Sequence, residues 1–195
     1  MSTAVRILVT AAAALALAAA VPVAPPADEL AQARATAREL MSQTKQLLQT
    51  QLRDNGAVGA ITSCSQVALQ MAKAHEKSGW RVRRVSLKAR NLADTPDAWE
   101  RRRLRELDKR HVAARLDSTA EVAEVVRERG RPVLRYLKPI VMPAEPCLKC
   151  HGGPGDIPAD VREALAKRYP ADVAVGYHAG DLRGAVSVSI PLAPR

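Results

Sequence analysis

Apolar residues fall into two rhythms along this chain. Leu30, Ala33, Ala37, Leu40, Met41, Leu47, Leu48 and Leu52 recur at roughly helical steps and predict a helix over residues 28–53. Asn55-Gly56 predicts a break. A second helix follows over 57–76, with Ile61, Cys64, Val67, Ala68 and Met71 sharing one face, and Ser78-Gly79 ends it. The period then shortens. Trp80 and Val82 alternate, then Val85 and Leu87, so 80–88 reads as a strand whose phase slips at Arg83-Arg84, as at a bulge. Thr95-Pro96-Asp97 marks a helix start with proline at the first helical position, and that helix carries Trp99, Leu104 and Leu107. Residues 120–127 fit a helix or a strand equally. Gly130-Arg131-Pro132 leads into a strand over 133–142, 158–168 reads as a short helix, and 173–177 with 182–190 read as a terminal hairpin turned at Ala179-Gly180-Asp181. Helices first, then strands with a helical insert, give an α+β class built on a small antiparallel sheet.

The first 27 residues change the picture of where the chain works. Arg6 is their only charge, and the run from Ile7 to Val23 is mostly alanine and leucine. This reads as a secretory signal, with small residues offering cleavage after Ala20 or Ala27. A retained anchor is the alternative, but the run is short against the ~20 apolar residues a spanning helix needs. The expected arrangement is a signal over 1–27 and one domain over 28–195, in a periplasmic setting, without stable membrane insertion once the signal is removed. The formal charge of +10 suits an acidic redox partner or anionic lipid, and equally plain solubility. No aromatic-basic patch points to nucleic acid.

The chemistry lies in Cys147-Leu148-Lys149-Cys150-His151, the C-x-x-C-H spacing that attaches c-type haem. Each thiol can add to one vinyl group, and the histidine supplies an axial ligand to the iron. A zinc site would need two further ligands at matching spacing, and no second C-x-x-C or H-x-x-x-H occurs. A redox disulfide is the other reading. With no Phe, two Trp and three Tyr, the chain is poor in large core fillers, a volume that a porphyrin would supply. Cys64 is the third cysteine. A thiol left over in an oxidising compartment needs a reason, and iron is a candidate.

Several strings together resemble a known family: 84–91 (Arg-Val-Ser-Leu-Lys-Ala-Arg-Asn), 95–100 (Thr-Pro-Asp-Ala-Trp-Glu), 136–140 (Tyr-Leu-Lys-Pro-Ile), 147–152, Gly176-Tyr177 and 180–185 (Gly-Asp-Leu-Arg-Gly-Ala). They are similar to the Tll-like haem c-binding domains, exported modules with a PAS-like fold. The resemblance runs over about 28–192. It implies one covalent haem c with histidine on one side of the iron and a cysteine thiolate on the other. The histidine maps onto His151 and the cysteine onto Cys64. Arg84, Arg90 and Arg183 lie in the resembling strings and are candidates to pair with the haem propionates. Rival sixth ligands are Met71, which shares the apolar face with Cys64, and then His75, His111 and His178. The functional expectation is a redox or diatomic-gas sensor module, with a periplasmic electron-transfer cytochrome as the alternative and an enzyme disfavoured. A redox or signalling protein is the expected partner.

Overall fold

In the computed structural model, residues 23–77, 79–112 and 116–193 are described, apart from the side chains of 62–66, 68 and 69. The expected signal over 1–27 thus falls almost wholly outside the described residues. Helix α1 (Ala27–Ala74, 48 residues) is the longest element. It contains the predicted break: Gly56 adopts φ 63°, ψ −176°, joining two helices across a kink. Among the described residues no helix is long and apolar enough to cross a membrane.

Four strands follow: β1 (Arg81–Val85), β2 (Val122–Glu128), β3 (Arg131–Val141) and β4 (Leu182–Pro191). They form an antiparallel sheet in the order β1-β4-β3-β2. The undecided stretch 120–127 is therefore a strand. β4 sits between β1 and β3, which makes it almost wholly buried.

Both faces of the sheet are covered, and this explains a correction. No bulge occurs at Arg83-Arg84, because β1 pairs with β4 in unbroken register from Arg81↔Ser189 to Val85↔Ala185. Val82 joins Leu134, Tyr136, Val186, Val188 and Ile190 against Ala33, Ala37 and Leu40 of α1. Val85 points the other way and joins Leu137, Leu182 and Ala185 against Leu104 and Leu107 of helix α2 (Ala98–Val112). The apparent phase slip is one regular strand with an apolar residue on each face. Each fully buried leucine here is worth roughly 1.5–3 kcal/mol of transfer free energy.

Helix α2 begins two residues later than the proline rule suggested, at Ala98 rather than Pro96. Asp97 Oδ1 accepts the Glu100 N–H at 2.8 Å and Glu100 Oε2 accepts the Asp97 N–H at 2.8 Å, a reciprocal cap that starts the helix at Ala98. The motif forms one short helical turn, α3 (Leu148–His151), and α4 (Ala159–Arg168) follows.

The terminal hairpin is not formed. Residues 173–177 make no strand, and β4 pairs with β1 and β3 instead. Their backbone runs along the motif: Gly176 N–H donates to Gly152 O at 2.8 Å and Tyr177 N–H to His151 O at 3.0 Å. The alternation that looked like a strand comes from exposed Val173 and Val175 flanking buried Ala174.

Candidate functional site

The C-x-x-C-H spacing becomes geometry in α3. The His151 N–H donates to Cys147 O at 3.0 Å, so these two residues lie one turn apart. Cys147 and Cys150 are both half-buried, and neither forms a disulfide. They lean on different apolar clusters. Cys147 packs with Met142, Ala174 and Tyr177. Cys150 packs with Ile61 of α1 and with Ile157, Val161 and Leu165. Burial pushes the Cys147 thiol up, Arg183 opposing, so it is held protonated near neutral pH.

His151 is the most constrained side chain of the motif. Its Nδ1 lies 2.7 Å from Ala174 O, a carbonyl that can only accept. The proton therefore sits on Nδ1, and Nε2 is left with its lone pair. Burial holds the imidazole well below its ordinary value, and the charges of Arg183 and Arg90, and more weakly Arg84, push the same way against the pull of the Ala174 carbonyl. Tyr177 meets the imidazole edge-on, with ring centroids 6.2 Å apart. A neutral imidazole with one nitrogen anchored and the other free to donate is the form that ligates metals.

The three arginines singled out in the sequence all add positive charge to the surroundings of this histidine, each in a different setting. Arg84, on β1, lies 3.7 Å from Asp94. Arg183, at the start of β4, donates from Nη1 to Ser86 Oγ at 2.7 Å and lies over the Tyr177 ring at 5.4 Å. Arg90 is the most engaged: Nε donates to Asp172 Oδ2 at 2.9 Å, and Nη2 to Cys150 O and to Ala174 O. Asp94 is buried, which raises its carboxyl despite Arg84, Arg183 and Arg83. A depression of about 170 Å³ opens at Arg84 and Asp94, bounded by Ala72, Lys73 and Glu76 at the end of α1.

Cys64 falls within the span of α1, but its side chain lies outside the described residues. Met71 packs against the sheet core, His75 Nε2 lies 2.9 Å from Gln43 Oε1, His111 ends α2, and His178 is on an exposed turn. None of them belongs to the apolar clusters around Cys147 and Cys150 among the described residues. No group of three or more His, Cys, Asp or Glu that could hold a metal ion occurs among the described residues.

Sequence reasoning missed Asp172 and the Ala174 carbonyl. A backbone acceptor leaves no trace in residue identity. Asp172 follows Tyr169-Pro170-Ala171 and reads as an ordinary turn residue. Lys88, whose Nζ lies 4.8 Å over the Tyr177 ring, was also missed.

Fold and site together define an α+β chain with a four-stranded antiparallel sheet, presenting two thiols and a neutral imidazole on one helical turn. Residues 26–191 match the family described as Tll0287-like, and the chain belongs to that family. It is similar to the crystal structure of the cyanobacterial heme-protein Tll0287, with 26% identity and a TM-score of 0.63 over 88% of this chain and 99% of that one. None of the curated proteins matches the chain.

Proposed function

We propose that this chain is an exported protein carrying one haem c and serving as a redox or diatomic-gas sensor module of PAS-like design. Cys147 and Cys150 would hold the haem through thioethers, His151 would ligate one side of the iron, and Cys64 the other. The observation that carries the reading is the buried His151, with Nδ1–H fixed on Ala174 O and Nε2 left to donate. Its support comes from the two half-buried thiols on the same turn and from similarity to a heme-protein. When bound, haem supplies a one-electron couple and an iron able to take a diatomic ligand.

The chain's own residues divide the work. Arg84 and Arg183 would supply the charge to pair with propionates. Arg90 has its donors on protein acceptors and acts through the motif backbone instead. The apolar clusters that Cys147 and Cys150 pack against would keep water from the thioether side. In a sensing role Cys64 would be the ligand released, as a protonated thiol. In an electron-transfer role Cys64 and His151 would both remain as ligands. A thiolate is an anionic donor that favours ferric over ferrous iron, so it is the ligand that reduction weakens. A redox or signalling protein would receive the signal, and no substrate is turned over.

Protein produced with a haem c maturation system should gain the mass of one haem that acid-acetone does not extract. Haem-free, zinc-loaded protein would end this reading. Cys64→Ala should keep the haem, alter the ferric spectrum and raise the potential. Dithionite followed by CO should give a CO complex of the wild type. A ferrous form that ignores CO while exchanging electrons rapidly would move the assignment to electron transfer, and rapid peroxide turnover would move it to an enzyme.

A further inference from the structure

We infer that Arg90 and Asp172 form a positioning pair that sets the orientation and hydrogen bonding of His151, an inference that rests on the haem reading above. Arg90 lies just beyond β1, far in sequence from the motif, and its side chain is about 11% exposed, with Asp172 at 10%. The two close a ring around one peptide carbonyl. Asp172 Oδ1 accepts the Ala174 N–H at 2.8 Å, and Asp172 Oδ2 accepts Arg90 Nε–H at 2.9 Å. Arg90 Nη2 reaches Ala174 O at 3.3 Å, the oxygen that also accepts His151 Nδ1–H at 2.7 Å. The same Nη2 donates to Cys150 O, one residue before the histidine. Asp172 thus holds the N–H of Ala174, and Arg90 holds its C=O together with the motif backbone.

Residues 172–177 form no strand, and Arg90 lies outside every helix and strand. The pair holds an irregular segment against α3 at the one atom that decides the His151 tautomer. A metal-bound histidine takes its orientation and donor strength from the partner of its second nitrogen. Arginine suits the task because its planar fork serves several acceptors at fixed angles, which an ammonium cannot do. If the Ala174 carbonyl drifts, His151 loses its acceptor, becomes a poorer donor, and ferrous iron is favoured.

The test uses haem-loaded full-length protein, with Arg90→Lys and Asp172→Asn. Arg90→Lys keeps the charge and loses the fork, which separates positioning from simple Coulomb effects. Both variants should keep one haem per chain. The His151 Nδ1–H proton, followed by NMR, should exchange with solvent about tenfold faster, the factor for a lost hydrogen bond of ~1.4 kcal/mol. The ferric/ferrous equilibrium should move several-fold toward ferrous, a tenfold change being about 59 mV for one electron. Variants with wild-type exchange and wild-type potential at equal haem content overturn the inference and leave the haem reading intact. A wild type that carries no haem overturns both.

Discussion

Arg135 is 3% exposed on the α2 face of the sheet, where a cation needs full compensation. It finds Asp97 at 2.7 Å, Glu100 at 3.4 Å and Glu128 at 2.5 Å, and its guanidinium lies 4.6 Å over the Trp99 ring. Glu100 is as buried, 2% exposed, and also accepts from Ser187 at 2.7 Å. Removing one partner strands the other's charge. Arg135→Met should therefore cost about 3–5 kcal/mol in urea unfolding, and a loss under 1 kcal/mol would show the network to be solvated. Asp97 titrates within the same group. Burial alone would raise its carboxyl, but the Glu100 N–H and Arg135 outweigh that and hold it below its ordinary value of 3.8. Its ion pair is therefore present in full above about pH 4 and is lost as pH falls through the lower folded value. Asp97→Ala should cost about 1 kcal/mol at pH 7, with the gap to wild type shrinking below pH 4 in acid unfolding curves. A gap that widens in acid would reverse the sign of this linkage.

At the scale of elements, two glycines mark places that resist a side chain, one through its backbone angles and one through lack of space. Gly56 sits at φ 63°, ψ −176°, a region that is essentially glycine's alone, with nothing near the site of its Cβ. Gly56→Ala should cost about 1–3 kcal/mol through backbone strain, and an unchanged melting temperature would mean the kink relaxes without cost. Gly184 in β4 has φ +155°, and a Cβ there would meet Val85 O at 2.2 Å. Gly184→Ala must push β1 from β4 and should lower thermal stability more than Gly56→Ala does. The kink was legible in Asn55-Gly56, as was the spacing of the motif, because both are local signals. Other elements were not. Residues 120–127 gave no clear period because nearly every residue of β2 is half-buried on a sheet covered on both faces. Residues 173–177 imitated a strand because Val173 and Val175 alternate about Ala174, whereas what holds the segment is burial of Ala174 and Tyr177 with the motif, a partner that residue identity does not announce.

For the whole molecule, the sheet separates two apolar layers, one under α1 and one under α2. Leu134 and Leu107 are each fully buried, in different layers. Leu134→Ala and Leu107→Ala should each cost about 2–5 kcal/mol, and the double variant should match the sum within about 0.5 kcal/mol. A larger discrepancy would mean that the sheet transmits strain between its faces. The layered α+β class was legible from the change of period along the chain. The route of β4 was not, since nothing in 182–191 says that it enters between two strands made much earlier. That route imposes an order of events on a chain made from its N-terminus. Cys147–His151 has been synthesised before the strand that completes the sheet exists, and so has Arg90. Arg183 and β4 come last. Until residues 182–191 arrive, β1 therefore has no strand to pair with and only the β2–β3 hairpin can form, so the last strand made is the one that turns two separate pieces into a single sheet.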